Sequence, residues 1–355
     1  MQKKILKKAS ILHIYPTLKF KGGAEKLIYQ LSESFHLDFN IFIVSDDRKQ
    51  KLSFAKHYHA YLFNTGVLKG LIGFFQLVKI FFKVKPSIVQ SHHRKTTALA
   101  SILKPLFGFR LIHNHHVKLE NKNYWKFFPV DLYIAVGEQV SLNLLNYFVI
   151  KPTKVKVIPN GVKKADLELK KNCDLKNTAI IVGRLEEQKG HIYLIYAWKE
   201  VIERIREAKL IVLGDGSLLN FLIKETEKLN LQNNIIFKGY QDNSLEWMSR
   251  SEFVILPSLW EGLPLTILEA FSVRKTVVAS NIDGNREIVK NNHTGYIFEN
   301  KNIKDLAENI IESFLNKEKR TKMEKEAYKL YLDKYTYDLM IEKYNRVYKQ
   351  FLSTS

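Results

Sequence analysis

Cysteine is almost absent from this chain, acidic residues are scarce in its first half, and no long uncharged apolar run occurs. One cysteine, Cys173, among 355 residues rules out an internal disulfide and fits a reducing compartment. The most apolar stretch, residues 68–84, is interrupted by Lys69, Gln76, Lys79 and Lys83. A spanning helix needs about 20 mostly uncharged apolar residues, so this stretch is not expected to cross a bilayer. Near the N-terminus, Lys3, Lys4, Lys7 and Lys8 precede an apolar run over residues 9–14. His13 interrupts that run, Pro16 ends it, and no small-residue cleavage site follows, so no export signal is expected. Internal repeats and low-complexity segments are also missing. The expectation is a cytoplasmic protein, soluble or peripheral.

What is present is ordinary globular material: 46% hydrophobic and 26% charged residues, enough to exclude wholesale disorder. At about 100–200 residues per domain, the length predicts two domains. The net charge of +20 is unevenly placed. Residues 1–162 hold 25 Lys plus Arg against 8 Asp plus Glu, a net of +17, and residues 163–355 hold 31 against 28, a net of +3. That asymmetry predicts an acidic partner for the first half: nucleic acid, an anionic membrane or a phosphorylated acceptor.

Short apolar runs alternate with amphipathic helical stretches, twice over. In the first half, residues 10–15, 39–44, 87–90, 110–113 and 132–136 read as buried strands, with helices over 24–35, 68–84 and 96–106. After a strand at 155–158 and the sequence Pro159-Asn160-Gly161, a polar stretch over 163–177 marks a boundary. Strands follow at 179–182, 209–213, 235–237, 253–256 and 276–279, and the chain ends in a helical stretch over about 305–351. Strand–helix alternation implies parallel βαβ units, so the expected fold is α/β, with two doubly wound Rossmann-like domains in tandem.

The densest chemistry lies over residues 256–287. An apolar strand runs into a turn holding Pro257, Gly262 and Pro264 and then into a helix, with Glu261 in the loop and Glu269 on the helix. A helix N-terminus at the carboxyl end of a parallel strand is where open α/β sheets bind ligands, and its N–H groups suit a phosphate. A buried carboxylate there can accept hydrogen bonds from two vicinal hydroxyls. The same spacing also suits a loop acid and a solvated helical acid.

Glu261-Gly262-Leu263-Pro264 with Glu269-Ala270 resembles the E-x7-E signature of retaining GT-B glycosyltransferases of family GT4. Other pieces resemble the family in order: Gly22-Gly23-Ala24-Glu25, Pro159-Asn160-Gly161-Val162, and Ile180-Ile181-Val182-Gly183-Arg184-Leu185 followed by Lys189-Gly190. Leu213-Gly214-Asp215-Gly216 and Gly284-Asn285-Arg286-Glu287 complete the set. The resemblance is strongest over residues 155–300 and thin over 45–85. It implies a GT-B architecture of two Rossmann-like domains facing across a cleft: an acceptor domain over 1–162, a nucleotide-sugar domain over 163–335, and a C-terminal helix over 336–355 packing back on the first domain.

The resemblance further assigns Arg184 and Lys189 to the donor diphosphate, Glu269 to the ribose hydroxyls and Glu261 to the hydroxyls of the donor sugar. Gly22, Gly23, Gly183, Gly262, Leu263 and the N–H groups of Leu265 and Thr266 complete the expected donor contacts. Arg supplies a planar fork for phosphate oxygens and Lys a mobile point charge. Nine of the eleven histidines precede residue 120, five of them in two groups that follow predicted strands, His92-His93 and His113-Asn114-His115-His116. No cysteine and no helical His spacing accompany them, so a metal is not expected. The family carries a His facing the donor sugar. His115 aligns best with it, and His113 or His116 takes its place if the strand ends one position differently. A polar loop without catalytic duty also fits. Gly214-Asp215-Gly216-Ser217 begins like a dinucleotide fingerprint but lacks the third glycine. No two aspartates stand two residues apart, which argues against a metal held by Asp-x-Asp, so no cofactor is expected.

For the basic half, Tyr124, Trp125, Phe127 and Phe128 interleaved with Lys122 and Lys126 suit a headgroup region, and Tyr124, Trp125 and Lys126 are taken as the acceptor or membrane side. Lys79, Lys83 and Lys85 near Phe74, Phe75, Phe81 and Phe82 suit a headgroup region too, but residues 68–84 read equally as a core helix with a polar stripe of Lys69, Gln76, Lys79 and Lys83, which leaves residues 124–128 as the better candidate. The resemblance implies retaining transfer from a nucleotide sugar, with a UDP-sugar as expected donor, to a lipid-linked oligosaccharide or a lipopolysaccharide or capsule intermediate. The work would be done at the inner face of the cytoplasmic membrane. Transfer to a soluble sugar is the alternative, and a non-catalytic nucleotide- or nucleic-acid-binding protein is a reading of another class. No nucleic-acid partner is expected, because no motif supports one.

Overall fold

A computed structural model describes residues 8–18, 22–47, 52–62, 67–119, 128–165 and 175–353. The chain divides into two compact units, Met1–Ile158 with Met340–Ser355, and Pro159–Leu339. Each is built on one parallel sheet.

The first unit contains strands β1 (Ser10–Ile14), β2 (Asn40–Ser45), β3 (Lys56–His59), β4 (Ile88–Ser91), β5 (Arg110–His115), β6 (Leu132–Ala135) and β7 (Val155–Val157). Their order is β3-β2-β1-β4-β5-β6-β7, all parallel. The long helices between them are α1 (Gly23–Phe35), α2 (Val67–Val84) and α3 (Arg94–Phe107), with a short α4 (Glu138–Leu142). Central strands are buried along their whole length, as β4 shows, and continuous apolar runs are what a sheet covered on both faces requires.

The second unit repeats the scheme with β8 (Thr178–Val182), β9 (Lys209–Leu213), β10 (Ile235–Gly239), β11 (Phe253–Leu256), β12 (Val277–Ser280) and β13 (Gly295–Phe298), in the order β10-β9-β8-β11-β12-β13. Helices α5 (His191–Arg204), α6 (Leu219–Lys228), α7 (Ser244–Arg250), α8 (Leu265–Ser272), α9 (Asp283–Ile288), α10 (Ile303–Leu315) and α11 (Lys317–Lys334) connect and flank the strands. Trp198 on α5, Phe253 on β11 and Phe298 on β13 anchor its core. In both sheets the strand order reverses once, between β1 and β4 and between β8 and β11. Crevices at such reversals, outside the carboxyl ends, are where these sheets take ligands.

Three expectations change. Lys56–His59 and Gly295–Phe298 are strands, each at a sheet edge and each paired on one side only, to β2 and to β12. The C-terminal helical stretch is three helices, α10, α11 and α12 (Tyr337–Ser353). Asn316 breaks it first, its side chain accepting the Lys319 N–H at 3.1 Å as a cap. The second break lies where Val162 bridges to Thr336. Third, α2 is no simple core helix. Leu77, Ile80, Phe81 and Val84 are buried, but Leu68, Leu71, Ile72, Phe75 and Phe82 are exposed. Gln76, assigned to a polar stripe, instead accepts the Tyr61 N–H at 3.1 Å.

The end of α12 belongs to the first unit. Tyr344 and Tyr348 are fully buried there, at the two ends of a chain of side-chain hydrogen bonds. Tyr348 donates to the Gln90 carbonyl at 2.5 Å, Gln90 donates to Asn114 at 2.6 Å, and Asn114 donates to the Tyr344 hydroxyl at 2.5 Å. Deleting one hydroxyl strands a buried partner, which costs about 1–3 kcal/mol. Tyr344→Phe is therefore expected to lower the urea-unfolding free energy by about that amount, and an unchanged midpoint would show that the chain of bonds does not contribute.

Candidate functional site

In the second unit, β8 and β11 are neighbours, so the loops at their carboxyl ends lie side by side. The loop after β8 carries Gly183 and Arg184, then a single 3-10 turn, Glu187–Lys189, then Gly190 at the start of α5. Gly190 has φ +66°, and a Cβ there would stand 2.0 Å from the Pro257 carbonyl oxygen, so a side chain would force the two loops apart. Close approach has a consequence: Lys189 Nζ donates to Glu261 Oε1 at 2.5 Å, with the two side chains only 14% and 9% exposed.

Gln188, which carries no motif of its own, completes the junction. Its side chain donates to the Trp260 carbonyl at 2.9 Å and lies 3.5 Å from Glu261 Oε2, and its backbone carbonyl accepts the Leu259 N–H at 2.8 Å. Its amide oxygen also accepts from exposed Arg184 at 3.2 Å. Gln188 thus links Arg184 to the Glu261 loop. The signal for it in the sequence is only its place in the turn before Lys189-Gly190.

The loop carrying Glu261 is braced from the other side by Gly284 at the start of α9. A Cβ at Gly284 would stand 2.5 Å from the Gly262 carbonyl oxygen and 2.7 Å from that of Glu261. Beyond the loop, Leu263 is buried and α8 begins after Pro264, whose side chain caps nothing. Leu265 and Thr266 form the first turn of α8, where N–H groups have no intrahelical acceptor. The Thr266 hydroxyl donates to the Val182 carbonyl at 3.4 Å. Glu269 is buried at 8% exposure, so Glu261 and Glu269 are not a loop acid and a solvated helical acid. Gly183, Arg184 and Lys189 after β8, and Glu261, Gly262, Leu263, Leu265, Thr266 and Glu269 after β11, therefore lie at the carboxyl end of one sheet. Gly214-Asp215-Gly216 backs these loops: the Gly183 N–H donates to the Leu213 carbonyl and the Leu185 N–H to that of Asp215, both at 3.0 Å. Chemically, two cations and a helix N-terminus offer an anion site beside carboxylates able to accept hydroxyl groups.

The first unit holds the histidines. His13 and His92 lie 3.3 Å apart through their ring nitrogens, and His92 stacks on His116 with nitrogens 3.4 Å apart. His113 accepts from or donates to Thr97 at 2.6 Å, and its other nitrogen lies 3.4 Å from His115. His115 in turn faces the Asn143 carboxamide at 3.4 Å. Asn143 opens one wide π-helical turn, Asn143–Tyr147, and also holds the Leu119 backbone through both its amide groups. Strand β5 ends at His115, which is buried at 2% exposure, whereas His116 is half-buried at the start of the loop. Burial pushes the buried imidazoles down, His13 to about 3, His115 to about 4, and His92 and His113 well below the usual range. Gly22 and Gly23 open α1, where the Gly22 N–H donates to Glu25 at 3.3 Å. Tyr124, Trp125 and Lys126 lie outside the described residues. Among the described residues no three His, Cys, Asp or Glu side chains converge as metal ligands.

Residues 164–330 match the family model of glycosyl transferases group 1, and residues 21–165 match that of glycosyltransferase family 4. An Escherichia coli UDP-Gal:alpha-D-GlcNAc-diphosphoundecaprenol alpha-1,3-galactosyltransferase is 30% identical over 282 residues, 71% of this chain and 70% of its own. A Bacillus subtilis poly(glycerol-phosphate) alpha-glucosyltransferase is 34% identical over 172 residues, 48% of this chain and 24% of its own. Among solved structures, an Anabaena protein in complex with UDP and glucose superposes with a TM-score of 0.82 at 17% identity, over 96% of this chain and all of its own. A Rickettsia africae glycosyltransferase does so with 0.82 at 22% identity, over 98% and 100%.

The buried histidines set an acid limit on stability. Each has a lower pKa folded than unfolded, so below pH ~6.5 the unfolded chain binds more protons. Their contribution is complete above pH ~6.5 and is lost as pH falls toward ~4, at about 2 kcal/mol per fully depressed histidine by pH 5. Urea midpoints between pH 7 and pH 5 should fall steeply, and His13→Gln should flatten that fall. A flat profile would mean these rings are not buried neutral.

Proposed function

The chain belongs to the group 1 glycosyltransferases of family 4 and has their two-domain GT-B fold, and on that premise we propose that it transfers a sugar, with retention, from a UDP-sugar to a lipid-linked or cell-surface glycan acceptor. The observation that carries the donor side is the gathering of Arg184, Lys189, Glu261 and Glu269 around the first turn of α8. Arg184, Lys189 and the N–H groups of Leu265 and Thr266 are assigned to the diphosphate, Glu269 to the ribose hydroxyls and Glu261 to the donor sugar. The Lys189 ammonium has three donors, of which Glu261 takes one, leaving two for phosphate oxygens.

In the proposed reaction the bond from the anomeric carbon to the diphosphate breaks. A bond to the acceptor oxygen forms on the same face, and the acceptor proton passes to the leaving phosphate oxygen. Negative charge grows on the diphosphate as the bond breaks, and preorganised cations and N–H dipoles stabilise that charge without reorganising. This role is assigned to the side chains and helix terminus rather than to a metal. Of the three candidate histidines, His116 is the one assigned to substrate. It is half-buried just past β5, whereas His113 and His115 are buried with both ring nitrogens engaged.

The acceptor side rests on the relatives. The E. coli relative acts on a diphosphoundecaprenol-linked sugar by its name, and the B. subtilis relative on poly(glycerol-phosphate). A cytoplasmic enzyme working at the inner membrane face fits such acceptors and the +17 of residues 1–162.

A thermal-shift panel of UDP, GDP and ADP with their sugars tests the donor. UDP and one UDP-sugar should raise Tm by several degrees while the others do not. In transfer assays with that donor, Arg184→Ala and Glu269→Ala should each lower kcat/KM by roughly 100-fold or more. Full activity in either variant would remove the residue from the donor site.

A further inference from the structure

Helix α2 carries apolar side chains on two sides, and only one of them is used by the fold. On the inner side, Phe81 packs against Phe109 with ring centres 5.2 Å apart, Leu77 and Val84 are buried, and Gln76 bonds to the Tyr61 backbone. On the outer side, Leu68, Leu71, Ile72, Phe75 and Phe82 are 42–73% exposed. Their spacing keeps them on one stripe of the helix. Phe82 meets Phe107 of α3 edge to face at 4.9 Å, and α3 exposes Ile102 and Leu106 at 61% and 66%. Scattered exposed apolar side chains are ordinary, but a stripe shared by two helices marks an interaction surface.

Charge identifies what covers it. Lys69, Lys79 and Lys83 are exposed along the same helix. Residues 48–119 contain thirteen Lys or Arg and not one Asp or Glu. A stretch without acids, with exposed lysines and with Leu, Ile and Phe projecting from its helix, suits anionic headgroups above acyl chains, and Asp131 beside α3 is paired with Lys104 at 2.7 Å. A nucleic acid has no use for the aliphatic side chains. None of the described helices is long and apolar enough to cross a membrane, so α2 would lie along the surface.

We propose that the outer face of α2, continued onto α3, is a docking surface for an anionic lipid bilayer. The apolar stripe enters the headgroup region, the lysines bind lipid phosphates, and the enzyme is held beside membrane-linked acceptors. The surface deepens the proposed acceptor class and rests on it for its purpose, but it does not depend on the donor assignment. Residues 68–84 are one of the two segments in which the sequence mixes lysines with aromatics, and Tyr124, Trp125 and Lys126 of the other lie outside the described residues.

Flotation of the full chain with phosphatidylcholine vesicles, with and without phosphatidylglycerol, tests the proposal. Wild-type protein should float with phosphatidylglycerol-containing vesicles, less so as salt rises, and not with phosphatidylcholine alone. Phe75→Glu/Phe82→Glu should reduce the floated fraction roughly tenfold or more, and Lys79→Gln/Lys83→Gln should reduce it with anionic vesicles. The nucleotide-induced rise in Tm should be equal in wild type and variants, which shows that the variants fold. Flotation unchanged in the Phe variant, or no flotation of wild type, would overturn the proposal. So would a wild-type dimer in light scattering that the Phe variant splits, because the stripe would then bind a second copy. A nucleotide that fails to shift Tm in any of these proteins would count against the donor reading and leave the flotation result standing.

Discussion

Lys189 and Glu261 lie 72 positions apart in the chain and share one short hydrogen bond. Both have surrendered most of their water, and removing one partner of such a buried pair costs about 3–5 kcal/mol because the other charge is left alone. Parallel neighbours β8 and β11 bring the two loops alongside, Gly190 lets them close up, and Gln188 satisfies the polar groups around the junction. The pair does not need to add net stability to matter. It fixes a cation and a carboxylate together at the carboxyl end of the sheet, where the proposed reading puts the donor. Sites that bind developing charge work best when their dipoles are already in place, and this junction has little freedom to be otherwise.

The two units handle charge differently. The second is nearly neutral overall and concentrates a few charges where two loops meet. The first is strongly basic outside, yet its interior holds a line of uncharged imidazoles that burial keeps deprotonated. Its positive surplus is therefore carried by Lys and Arg side chains near the surface, where it can act on an anionic partner over about a Debye length. Acidic conditions would add charge inside this unit, so the same histidines that are silent at neutral pH make the fold acid-sensitive.

Much of this was legible in the sequence. The alternation of apolar runs and amphipathic helices marked most strands, because a parallel sheet covered on both faces demands continuous apolar segments. It failed at β3 and β13, which are edge strands. Lys-His-Tyr-His buries one residue, and β13 begins with a glycine, so neither makes an apolar run. The pair Glu261 and Glu269 and the pair Arg184 and Lys189 stood out by motif. That Lys189 would bind Glu261, or that Gln188 would bridge Arg184 to the same loop, needed the strand order, because nothing local links residues so far apart. For α2, periodicity exposed a wide apolar face but not how much of it the sheet would cover. The mixture of lysines and aromatics fits both a core helix with a polar stripe and a headgroup-facing one, and only burial separates the two faces.

A crystal structure of the full chain with UDP bears most directly on the claim that the junction of the β8 and β11 loops is a nucleotide-sugar site. The diphosphate is expected within hydrogen-bonding distance of Arg184, Lys189 and the N–H groups of Leu265 and Thr266, with the ribose hydroxyls on Glu269. UDP bound in the first unit, or bound in the second with its diphosphate away from those groups, would contradict it.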